Sequence, residues 1–195
     1  MAKHIAIIQG HPDVTQHHFG HALAEAYAKG ATAAGHEVRM IDVAKLDFPW
    51  LRSKQEWEHS EPPPAITTAQ KTIAWADHLV VCYPLWLGGM PAILKGFFEQ
   101  VARPGFALAP VDSNQMWHKL LKGKSARIVV TMGMPALIYR WYFRAHSLKS
   151  LERNILGFVG IAPIRATVIG MIEGPNVARR EKWLSKLQDL GGQGR

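Results

Sequence analysis

A single cysteine, Cys82, occurs in 195 residues, so no intrachain disulfide can form and no Cys-rich metal site can be assembled. That thiol lies inside the apolar run HLVVCYP, where a packed, inert side chain fits better than a nucleophile. No apolar stretch approaches the roughly 20 residues that a membrane-spanning helix requires. The opening MAKHIAIIQG passes straight into a strand-like run, too short for the core of a signal peptide. Repeats and low-complexity tracts are lacking too, and EPPPA (61–65) reads as a rigid bend before a helix, not a domain linker. Together these absences predict a single globular domain over residues 1–195 in a reducing cytoplasm. Acidic residues are also scarce, 15 against 23 Lys and Arg, giving a formal net charge of +8. Such a charge suits phosphorylated ligands, nucleic acid, an anionic membrane surface, or solubility alone. No nucleic-acid motif accompanies it, so the expectation is no nucleic-acid partner.

What is present is an alternation of strand-like and helix-like segments. Residues 4–9, 36–43, 78–84, 125–133 and 164–171 read as strands, the third Val-rich and buried on both faces. Between the first two, Leu23, Tyr27, Ala31 and Ala34 share a helical face, with Gly35 as a stop. After Pro91, the residues Ile93, Leu94, Phe97, Phe98 and Val101 form another helical stripe. The aromatic, basic segment 134–158 also reads as helix, and an amphipathic helix closes the chain. Five strands each followed by a helix call for an α/β fold with a parallel sheet covered on both faces. Ligands in such folds bind beyond the carboxyl ends of the strands, which directs attention to the loops after residues 9, 84 and 131.

The first loop, QGHPDVTQHHFGHAL, enters a helix whose first turn offers free N–H groups and a dipole, an anion site in which Thr15 and Gln16 add donors. It is not the dinucleotide fingerprint, because Gly10 has no glycine two positions on. Nor is KGKS (122–125) a P-loop, since His118 stands where the leading glycine belongs. His11, His17, His18 and His21 invite a metal reading, but His17 and His21 share a helix face only if the helix begins early, so they are expected to surround a phosphate or face solvent and no metal is expected. In the second loop, PLWLGG sets successive N–H groups beside Trp86. A planar heteroaromatic ring would stack there, and packing of Trp86 in a subunit interface accounts for it equally well. The third loop, TMGMPALIYRWY, brings Gly133, which permits close backbone approach, and Tyr139, with His146 beyond it. Tyr139 and His146 can donate protons to a developing anion; ordinary helix packing is the simpler account of them in isolation.

The stretch YPLWLGGMPAILKGFFEQVARPGFAL (83–108) closely resembles the flavin-binding loop and helix of the flavodoxin-like NAD(P)H:quinone oxidoreductases, and GHP…FGHALAEA is similar to their first loop. The resemblance runs along nearly the whole chain. It implies a doubly wound five-stranded parallel sheet of order 2-1-3-4-5, a flavin (FAD ahead of FMN), and a homodimer. It also implies ping-pong hydride transfer through flavin N5 from NADPH or NADH to a quinone, with the basic surface favouring NADPH. By the same resemblance His11, Thr15, His18 and Phe19 hold the flavin phosphate. Pro84, Leu85, Trp86 and Leu87 line the isoalloxazine, Thr131, Met132 and Gly133 contact its pyrimidine side, and Tyr139 and His146 form a proton relay. The chain departs from the family pattern in a first loop about two residues longer, in Gly20 for Asn, in Thr131-Met132-Gly133-Met134 for Thr-Thr-Gly-Gly, and in a His146 one residue beyond its usual place. An electron-carrier flavodoxin is the alternative class. So is a membrane-surface regulatory subunit, for which Trp141, Tyr142 and Phe143 beside Arg140 and Arg144 would make an interfacial helix.

Overall fold

The computed structural model describes residues 1–109, 118–174 and 176–195. Five parallel strands form one sheet: β1 (His4–Gln9), β2 (Glu37–Asp42), β3 (His78–Pro84), β4 (Ser125–Thr131) and β5 (Ile164–Ile169), in the order β2-β1-β3-β4-β5. This is the flavodoxin-like arrangement expected, and its strand order reverses between β1 and β3. Side chains along a strand alternate between faces. Ile5, Ile7, Val80 and Cys82 therefore pack beneath α1 (Phe19–Ala33) and α7 (Val177–Gly192), while Ala6, Ile8, Val81 and Tyr83 enter the core on the other face. That second face is covered by α3 (Pro64–Trp75) and α4 (Ala92–Val101), with the short α2 (Lys54–His59) outside them. Cys82 is fully enclosed, and burial pushes its thiol up to about 12, so it stays protonated and inert.

Helices α1 and α7 meet backbone to backbone. A Cβ on Gly30 would lie 1.8 Å from the Gln188 carbonyl oxygen, and one on Gly191 would lie 2.1 Å from that of Tyr27. Ala34, expected on the buried face of α1, instead caps it in the open, one residue before the positive-φ Gly35.

The segment 134–158 is not one helix. It divides into α5 (Ala136–Trp141), α6 (His146–Ser150) and a wider π-type turn over Leu151–Leu156, with Arg144 and Ala145 in left-handed conformation between α5 and α6. Tyr139 and Leu148 are both buried, yet nine residues of continuous helix is two and a half turns at 3.6 per turn, which would face them oppositely. The break lets both reach the core. Among the described residues no helix is long and apolar enough to cross a membrane.

Candidate functional site

Three loops at the carboxyl ends of β1, β3 and β4 are tied together by main-chain bonds. Gly10 N–H donates to the Cys82 carbonyl at 2.7 Å, and Leu85 N–H donates to the Thr131 carbonyl at 2.7 Å. The ring of His11 meets the edge of Trp86 at 6.1 Å between centroids, joining the first loop to the second.

Asp13 organises the first loop. Its Oδ1 accepts from Thr15 N–H (2.8 Å) and Thr15 Oγ1–H (2.6 Å), and its Oδ2 lies 2.7 Å from His18 Nε2. The bonds from Thr15, then that from His18, hold the Asp13 carboxyl well below the usual carboxylate range. His11 is buried and stacks on His18 at 3.9 Å, and its Nδ1 accepts from Asp13 N–H. Burial first, and the neighbouring His18 and His21 next, keep its pKa below that of free imidazole. His18 caps α1, and the N–H groups of Phe19 and Gly20 just inside have no acceptor among the described residues. His17 precedes the helix and pairs with Glu25 at 2.9 Å.

The second loop is a tight reversal. Trp86 and Gly89 exchange N–H···O bonds of 2.9 Å each way, with Leu87 and Gly88 at φ of 46° and 76° between them. A left-handed leucine costs about 1–2 kcal/mol, and such strain gathers where a loop is shaped for a ligand. The closed turn spends the N–H of Trp86 on Gly89, and those of Leu87 and Gly88 have no acceptor among the described residues. Pro84 is buried beneath them, while Trp86 is 51% exposed.

In the third loop Met132 N–H is taken by the Ile169 carbonyl, while Gly133 N–H has no acceptor among the described residues. Gly133 does not adopt positive φ; its role is close approach, since a Cβ there would lie 2.9 Å from Glu173 Oε1. Tyr139 is buried, with its hydroxyl 2.8 Å from Ser147 Oγ and accepting from Leu148 N–H at 3.1 Å. His146 stands exposed at the start of α6, and no side-chain hydrogen bond engages it. The two residues are thus held differently, Tyr139 as an internal strut and His146 facing outward.

Sequence reasoning missed Asp13, Glu173 and Arg180. The Asp-x-Thr spacing of an Asx turn signals the first. The other two lie in the β5–α7 region, where the fold alone brings Glu173 to Gly133 and Arg180 to within 5.8 Å of the Phe19 ring centroid. The assembly fits a planar ring with acceptor atoms along its edge: a half-exposed indole, unspent N–H groups from two neighbouring loops, and a helix amino terminus nearby for an anionic tail.

Residues 3–190 match the family described as Flavodoxin-like fold. The chain is 28% identical over 170 residues to an uncharacterized NAD(P)H oxidoreductase of Haemophilus influenzae, covering 85% of this chain and 83% of that protein. It is 26% identical over 185 residues to the FMN-dependent NADH:quinone oxidoreductase of Nitratidesulfovibrio vulgaris, covering 82% and 84%. The fold superposes on that of an NAD(P)H:quinone oxidoreductase from Methanothermobacter marburgensis with a TM-score of 0.81, at 23% identity over 99% of this chain and 96% of the other. With this sheet order and a family match running nearly end to end, the chain is an oxidoreductase and belongs to the flavodoxin-like NAD(P)H:quinone oxidoreductase family.

Proposed function

We propose that the protein, as a single domain over residues 1–195, is an NAD(P)H:quinone oxidoreductase that works through bound FMN. The observation that carries this reading is the set of N–H groups at Leu87, Gly88 and Gly133 with no acceptor among the described residues, on two loops joined by the Leu85–Thr131 bond, with the half-exposed Trp86 in the first of them. A flavin held there would supply reversible two-electron chemistry, accepting a hydride from the nicotinamide donor and passing it to the quinone in ping-pong order. FMN replaces the FAD suggested by residues 83–108, because the similar Nitratidesulfovibrio protein is named as FMN-dependent. That name also points to NADH as the donor, against the NADPH that the net charge favours.

The chain's own contributions follow from its geometry. Trp86 offers a flat apolar face, with Pro84 and Leu85 supporting it from β3. The open N–H groups favour negative charge on whatever edge they meet, because they are fixed in place before it develops. Phe19 and Gly20 present N–H groups and the positive end of α1 to a phosphate, with His11 behind them. Thr15 and His18 join that site by turning from Asp13 to the phosphate. Tyr139 pins α5 to α6, and His146, exposed at the start of α6, is the side chain of the pair left to pass a proton to substrate.

Trp86, Leu137, Ile138, Trp141, Tyr142 and Phe143 are exposed apolar side chains in or near the loops that follow the neighbouring strands β3 and β4. We assign this surface to a homodimer that closes over the Trp86 loop, with a membrane surface as the lesser alternative, and we place the protein in the cytoplasm.

The test is direct. Protein as purified is heated, the released flavin is identified by mass, and NADH and NADPH oxidation is followed with a soluble quinone. FMN release and sustained quinone reduction are expected, with Trp86→Ala weakening FMN binding by about tenfold. A colourless protein that takes up neither FMN nor FAD at micromolar concentration would overturn the proposal.

A further inference from the structure

At the opposite end of the sheet, below the amino ends of β3, β4 and β5, lies a cavity of about 200 Å³ lined by Lys3, His78, Ser125, Arg165, Arg195 and neighbouring backbone. Four cationic side chains gather there. Lys3 Nζ donates only to the Gly194 carbonyl, and Arg165 is exposed with no hydrogen-bond or ion-pair partner among the described residues. Arg127 is buried behind the wall, its Nε on the Arg195 carbonyl at 2.7 Å and its Nη1 on Thr167 Oγ1 at 2.8 Å. Arg195 adds a guanidinium of its own, so even a free carboxylate at that residue leaves the group positive. No Asp or Glu side chain among the described residues pairs with any of the four; Asp77 and Glu37 are turned to His4. His78 is buried with Nδ1 on Ser125 Oγ at 2.7 Å, and its Nε2 has no partner among the described residues.

Like charges gathered at one cavity repel one another and raise its positive potential, which an anion bound there relieves. Of the four only Arg127 is buried, and it is bonded to the Arg195 main-chain oxygen and Thr167 Oγ1. Lys3, Arg165 and Arg195 stand half-buried or exposed around the open cavity with no Asp or Glu among the described residues to neutralise them. The buried His78 Nε2 beside them has no hydrogen-bond partner among those residues. We propose that this cavity binds a small phosphate-bearing anion, held by Arg165, Lys3 and Arg195 with Ser125 Oγ and His78 at its floor. The planar fork of Arg165 suits two phosphate oxygens at once. The volume is that of six or seven waters at about 30 Å³ each, room for a phosphate or diphosphate and too little for a dinucleotide. The strand β3 separates the cavity from the loop bearing Trp86 by roughly 20 Å, at about 3.3 Å for each of its residues. A nicotinamide donor seated at Trp86 does not fill it, so this second site is independent of the flavin reading.

Inorganic pyrophosphate tests it by calorimetric titration of the protein saturated with FMN, which keeps the α1 end engaged, at about 0.15 M salt. Saturable binding is expected, weakened about tenfold by Arg165→Ala and similarly by Lys3→Ala, with flavin content unchanged in both. ADP in a parallel titration separates the sources of the phosphate: binding that depends on Arg165 as pyrophosphate does supports the site with the end of a larger molecule. Absence of any heat beyond that of sodium chloride at matched ionic strength, or binding indifferent to both substitutions, would overturn it. Arg165 projects from the surface, and folding of Arg165→Ala is checked by its circular dichroism.

Discussion

Asp13 and His18 form a pair, Oδ2 to Nε2 at 2.7 Å, across the loop that leads into α1. The same carboxylate takes both donors of Thr15. Thr15 and His18 are the residues from which the family resemblance expects phosphate contacts, so Asp13 occupies their hydrogen bonds as an internal anion. Replacing it by Asn removes a negative charge beside the incoming phosphate while keeping the side chain's shape and one acceptor. Asp13→Asn is expected to bind FMN several-fold more tightly than the parent, measured by quenching of flavin fluorescence on titration with apoprotein. Weaker binding would show instead that the loop needs the carboxylate to hold its form.

Tyr139 accepts from Leu148 N–H inside the protein, so Tyr139→Phe strands a buried donor. The expected loss is about 1–2 kcal/mol in urea denaturation. Combined with His146→Ala, the substitution should lower quinone turnover while flavin stays bound. Unchanged steady-state reduction in the double variant removes both residues from the reaction.

His78 holds a neutral imidazole. Burial first, then Lys3, Arg127 and Arg165, lower its pKa from 6.5 to about 4. The unfolded chain therefore binds a proton that the folded chain refuses as pH falls from 6.5 toward 4, and stability declines across that window. The full effect is about 3 kcal/mol, present above pH 6.5 and lost by pH 4. Denaturation midpoints of His78→Asn and parent, compared across the window, should converge as the pH is lowered.

The contact of α1 with α7 rests on absent side chains. Gly30→Ala places a methyl 1.8 Å from the Gln188 carbonyl oxygen and is expected to cost about 3 kcal/mol or to part the helices. Gly20→Ala, where nothing lies within 4 Å of a new Cβ, should stabilise α1 by about 0.5–1 kcal/mol. Thermal melts of the two variants side by side check the contrast.

Much of the fold could be read along the chain because it depends on local periodicity. Val-rich runs bounded by Gly and Pro mark β3 and β4 to within a residue or two, and the stripe Leu94, Phe97, Phe98 and Val101 is the buried face of α4. The segment after β4 resisted the same reading. Its apolar residues suit a helix locally, but Tyr139 and Leu148 must reach one core, and that demand comes from the sheet below them.

The site divides in the same way. Sequence alone put His11, His18, Trp86 and Gly133 after strands, and in a parallel sheet the residues that follow its strands gather at the carboxyl edge. Only the tertiary structure decided which donors remain available. Trp86 N–H is spent on Gly89 and Met132 N–H on Ile169, while those of Leu87, Gly88 and Gly133 have no acceptor among the described residues. It also placed Glu173 and Arg180 against the first and third loops, and gathered Lys3, Arg127, Arg165 and Arg195 at the far end. Residue type is a local property, whereas a hydrogen bond or an uncompensated charge depends on what distant segments bring to meet it.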